Sequence, residues 1–158
     1  MHHPSMLPKV DHCQEILKYQ FKDRDLCWEA LQMAGSGVRS AGSRSIPNGN
    51  KRLAIVGDFV LDLILSKDWY DSGALEGTWD NIRQSVVSNA MLGRVGTSSD
   101  LVKCIELPNG QKQASSKMMA TTVEAVIGAV YLDAGPTGLA AAGNVMQELG
   151  IEHGGHAI

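Results

Sequence analysis

The chain has 158 residues, 44% of them hydrophobic, the size and apolar content of one ordinary domain with a real core. Aromatic residues make up only 5% while Gly reaches 17 and Met 7, a composition that suits closely packed helices better than a β-sandwich. A net charge of -3 excludes a global pull toward nucleic acid or acidic membranes, so any contact with RNA needs a local patch.

Cys13, Cys27 and Cys104 are odd in number, far apart in sequence and without metal-ligand spacing, which reads as buried thiols in a reducing compartment. No apolar run is expected to cross a bilayer, and the N-terminus lacks the apolar segment of a secretory signal. An intracellular protein with no membrane partner is therefore expected, cytoplasmic and mitochondrial locations both being compatible.

Residues 1–9 read as a tail. Apolar spacing then predicts helices over 10–19 and 25–33, with Asp23 or Asp25 as the N-cap between them. Residues 35–49 hold Gly, Ser, Pro and two arginines with little to bury, and read as a flexible loop. Leu53, Val56, Val60, Leu61, Ile64 and Leu65 form the stripe of a strong helix, taken as the central one, that stops near Ser72 and Gly73. A further helix is expected over 81–92, capped by Thr78 or Asp80 and with Gly93 near its end. After a short apolar piece at 101–105 and a turn at Pro108-Asn109-Gly110, a second strong helix covers 115–132, where Gly128 and Ala129 allow another backbone to approach. Asp133 to Pro136 stop it, a small-residue helix covers 139–149, and 151–158 read as a C-terminal tail. The domain at 10–150 is expected to be all-α, a helical bundle.

Asp58 and Asp62 are four residues apart on one helix face, with Ala54 one turn earlier. On the later helix Glu124 follows Thr121 by three residues and Lys117 by seven, again on one face. Inward carboxylates on two crossing helices can hold Mg²⁺, which takes several oxygen ligands from rigid supports. By spacing alone such acids are more often solvated, paired or capping.

Residues 50–63, NKRLAIVGDFVLDL, closely resemble the ribonuclease III signature, which typically reads N-E-R-L-E-F-L-G-D-x-V-L-D-L. Residues 80–92, DNIRQSVVSNAML, resemble the helix bearing that family's Arg and Ser-Asn, residues 117–135 resemble its K-x-x-A-D-x-x-E-A element, and residues 17–31 resemble its opening helical pair. The resemblance implies the ribonuclease III endonuclease-domain fold, a homodimer, and double-stranded RNA as the substrate of a Mg²⁺-dependent cleavage. Carried over residue by residue, the site positions are Ala54, Asp58, Asn89, Lys117, Thr121 and Glu124. Asp58 and Glu124 keep the carboxylates expected to bind metal, and Asn89, Lys117 and Thr121 complete the catalytic set. Ala54 and Thr121 stand where the family carries Glu and Asp. Two lost carboxylates imply weak or absent Mg²⁺ binding and crippled or lost cleavage, and Lys51, where the family often has Glu, adds positive charge.

Asp62 reads as a structural acid, Arg83 as a bridge between helices, and Asn89 equally as a site residue or a satisfied polar group. Arg39, Arg44, Lys51 and Arg52 form a local basic cluster. His153 and His156 read as tail histidines without a ligand role. No following dsRNA-binding module is expected, so the domain would supply all RNA affinity itself. The competing expectation keeps the fold but not the RNA: the cleft takes a small-molecule ligand, using its acids and Lys for proton transfer, or the dimer serves as a scaffold.

Overall fold

The computed structural model describes residues 3–151, and His153 and His156 lie outside that range. Among the described residues seven α-helices run in the order α1 (Met6–Leu17), α2 (Arg24–Ala30), α3 (Lys51–Ser72), α4 (Trp79–Val87), α5 (Asn89–Ser98), α6 (Ser116–Ala134) and α7 (Gly138–Glu148). A two-stranded hairpin, β1 (Ser40–Ala41) and β2 (Arg44–Ser45), is inserted between α2 and α3. The all-α architecture expected from the helical periodicity holds.

α1 begins at Met6, inside the segment read as a tail. Met6 is buried, and Ser5 and Lys9 both reach Glu106, Lys9 at 3.0 Å, while Lys9 Nζ also donates to the Ile105 carbonyl at 2.9 Å. The Asp23 carboxylate accepts from the Asp25 amide at 3.0 Å and so caps α2. Cys13, Cys27 and Cys104 converge in the core from α1, α2 and the 3₁₀ turn Leu101–Lys103, and all are fully buried. Burial pushes the Cys104 thiol up to about 12, and the Cys27 thiol is the leading cause of a rise at Cys13, so both stay protonated.

The segment expected to be a flexible loop is instead fastened. Ser40 pairs with Ser45 and Ala41 with Arg44, and the Arg44 guanidinium donates to Asp23 at 2.8 Å and to Glu29 at 2.9 Å. Two-residue strands carry no readable alternation; the Arg44 ion pairs and the buried Ala41 and Ile46 hold this hairpin. Arg44 is thereby withdrawn from the basic cluster. α3 starts where buried Asn50 donates its amide to Gln32 and its side chain to the Ala30 carbonyl, each at 2.8 Å.

The helix expected over 81–92 is two helices. Ser88 adopts an extended backbone, and its hydroxyl accepts from the Met91 amide at 3.3 Å, ending α4 and capping α5. Gly93 therefore lies inside α5, against Ser116 of α6. Ser115 caps α6 in the same way, accepting from Met118 at 3.1 Å.

The helix at the centre is α6, not α3. Eleven of its 19 residues are buried, among them Val123, Val126, Ile127 and Val130, each worth about 1.5–3 kcal/mol of apolar burial. Where α3 crosses it, the backbones touch: a Cβ on Gly57 would overlap the Glu124 carbonyl, and one on Gly128 would overlap the Leu53 carbonyl. Reciprocal glycines thus set the separation of the two helices. The stretch Ser116–Glu148, with a window of mean hydropathy 1.3, meets a length-and-composition test for a membrane span, contrary to the expectation of no such run. A 3₁₀ turn at Gly135–Thr137 interrupts it and 56% of that window is buried inside the bundle, as in the core helix of a globular domain.

Candidate active site

Beside the Gly57–Gly128 crossing, a cleft of about 550 Å³ opens between α3, α6 and the α4–α5 break. α3 contributes Lys51, Ala54, Ile55 and Asp58; α6 contributes Thr121 and Glu124; Arg83, Gln84, Val87, Ser88 and Asn89 close the third side. The helix geometry explains the grouping. Gly57 fixes α3 against the Glu124 backbone, so its neighbour Asp58 is delivered to the edge of the contact where Glu124 emerges one turn before Gly128.

Five of the six positions singled out by resemblance, Ala54, Asp58, Asn89, Thr121 and Glu124, line this one cleft. Lys117 does not: it is exposed in the first turn of α6, and its carbonyl accepts the Thr121 hydroxyl at 2.9 Å. Gln84 and Ser88 line the cleft without having been singled out; for Ser88 the Ser-Asn pair ahead of an apolar run was a usable capping signal.

Two acids on α3 have different surroundings. Asp62 receives the Arg83 Nε at 2.8 and 3.0 Å, the helix bridge expected for Arg83. Asp58 lies 3.8 Å from the same guanidinium, at the rim of its reach, and faces Glu124 instead. Burial pushes the Glu124 carboxyl up to about 7, the Asp58 charge adds to the rise, and Arg83 opposes it. Glu124 is therefore close to half-protonated near neutral pH.

The donor set does not fit a multi-carboxylate Mg²⁺ site. Asp58 and Glu124 are the carboxylates that line the cleft, Ala54 offers no donor, and the Thr121 hydroxyl, which donates to its own helix, offers only a neutral oxygen. Among the described residues no three His, Cys, Asp or Glu side chains are grouped to hold a metal ion.

The domain is thus a helical bundle whose two long crossed helices bring Asp58, Glu124 and Asn89 to one cleft. The Ribonuclease III domain family matches residues 51–135, which run from the cleft lysine through the end of α6. The chain belongs to the ribonuclease III domain family. It is 33% identical over 133 residues to Ribonuclease 3 of Rhodopirellula baltica, covering 81% of this chain and 48% of that protein. Ribonuclease 3 of Vibrio campbellii is 32% identical over 130 residues, covering 78% and 54%. The chain thus spans about half the length of the curated relatives it matches. In fold it is similar to the nuclease domain of ribonuclease III from Campylobacter jejuni, TM-score 0.74 at 24% identity, over 89% of this chain and 94% of that one. That structure is described for flexibility in a region involved in dimer formation.

Proposed function

We propose that this chain is a ribonuclease III-like domain that binds structured RNA as a dimer while Mg²⁺-dependent cleavage is crippled or lost. The observation that carries this reading is the donor-poor lining of the cleft: Ala54 and Thr121 occupy its walls beside Asp58 and Glu124. Phosphodiester hydrolysis draws on metal to activate water and to neutralise charge at the scissile phosphate. Two carboxylates with a guanidinium nearby give such an ion little hold.

A dimer is supported by the outer face of α3. Ile55, Phe59 and Leu63, spaced four apart, are 61%, 72% and 52% exposed, an unusual apolar stripe for a surface helix. Sedimentation at micromolar concentration should give a dimer; a monomer there contradicts that part of the proposal.

For the chemistry, labelled duplex RNA incubated with Mg²⁺ or Mn²⁺ should stay uncut by the natural chain. Ala54→Glu combined with Thr121→Asp should produce cleavage that Glu124→Gln abolishes. Cleavage by the natural chain as fast as by the double variant would refute the loss of activity.

A second reading has its own observation: a carboxyl poised near 7 in a cleft of about 550 Å³ is suited to acid–base work on a small molecule. Gel-shift titrations of duplex RNA across salt concentrations separate the two, because phosphate binding weakens steeply with salt. Absence of any shift at low salt favours the small-molecule reading.

A further inference from the structure

We infer that the cleft takes an RNA phosphate directly, with the Lys51 ammonium standing where a divalent cation would otherwise neutralise it, so that duplex binding needs no Mg²⁺. This metal-independent binding presupposes the RNA reading proposed above.

A cleft walled by several carboxylates repels a phosphate until cations intervene. This cleft carries cations of its own: Lys51 and Arg83 line it together with Asp58 and Glu124.

The two cations differ in availability. Arg83 is spent on Asp62, at 2.8 Å, and on the rim of Asp58. Lys51 is the first residue of α3, exposed, and among the described residues its ammonium has no hydrogen bond or ion pair. It shares the α3 wall with Ala54, where a metal ligand is absent. A compact ammonium with three donors is suited to a phosphate oxygen as a point charge. The cleft thus lacks acids at Ala54 and Thr121 and presents in Lys51 an uncommitted cation to a phosphate.

The test is fluorescence anisotropy of a labelled perfect duplex RNA, whose pairing needs no divalent ion, at constant ionic strength with EDTA or with Mg²⁺. The natural chain should bind equally, within about twofold, in the two buffers. Lys51→Ala should weaken binding in both and lower the salt slope by about 1. Lys51→Glu adds a third carboxylate to the lining of the cleft; its binding should fall about tenfold in EDTA and recover substantially with Mg²⁺. An acid in the first turn of a helix is favourable to its dipole, so this variant should fold, as circular dichroism will show. Binding by the natural chain that needs Mg²⁺, or that ignores Lys51→Ala, overturns the inference and leaves the RNA reading standing. Absence of binding in both buffers at low salt sinks both.

Discussion

Asp62 and Asp58 sit one turn apart on the same face of α3, yet one is joined to Arg83 at 2.8 Å and the other is left opposite Glu124. The first pair ties α4 to α3; the second sets two like charges against each other across the cleft. The difference separates scaffold from chemistry within a single helix. The scaffold acid Asp62 is paired with Arg83, whereas the cleft holds two carboxylates beside Ala54 and Thr121.

Breaking the frame that carries both acids should have the largest effect. Gly128→Val drives a branched side chain into the Leu53 carbonyl and the Gly57 amide, and should cost about 4 kcal/mol or more in urea unfolding, or prevent folding. A loss under about 1 kcal/mol would show that the helices can part without penalty. Removing the scaffold pair comes next. Arg83→Met should cost about 1 kcal/mol, a small figure because the guanidinium and Asp62 are 33% and 31% exposed. It should also push the Glu124 carboxyl further up, because Arg83 now holds it down. Chemical-shift titration of Glu124 in that variant checks the direction.

The subtlest effect concerns pH. The Glu124 carboxyl lies at about 7 in the folded chain against an ordinary 4.5, so folding favours the protonated form. That contribution is complete below about pH 4.5 and is lost as pH rises through 7. Glu124→Gln cannot ionise and keeps it. Urea midpoints of the two proteins should coincide near pH 4 and separate by about 1–2 kcal/mol at pH 8, discounted for solvent screening, with the variant the more stable. Parallel pH curves would mean that Glu124 is better solvated than its place in the cleft implies.

Much of the helical frame was legible because helix ends advertise themselves: Asp23 and Ser115 cap α2 and α6 where polar residues precede apolar periodicity. Gly128 was legible as a close-approach residue, though its partner Gly57 was not, since contact across 71 positions leaves no local trace. The hairpin escaped because Arg44 finds Asp23 and Glu29 only in three dimensions. Ser88 escaped because a continuous apolar pattern runs through the break it makes. In the site, shared spacing placed Thr121 and Glu124 correctly on one face, yet period alone does not reveal where a helix leaves the bundle. Lys117 keeps that face, but one turn earlier α6 is already in solvent. The priority of α6 over α3 was hidden for a related reason: both stripes are apolar, and only packing tells which helix is the more deeply enclosed.

Ile55 belongs both to the exposed stripe on α3 and to the wall of the cleft. Whatever covers that stripe therefore rests against whatever fills the cleft, and the two events share a free energy. Reciprocity then requires that an occupant which tightens association is itself bound more tightly by the associated form, by the same factor. In the dimer proposed above, one isoleucine would make assembly register what the cleft holds.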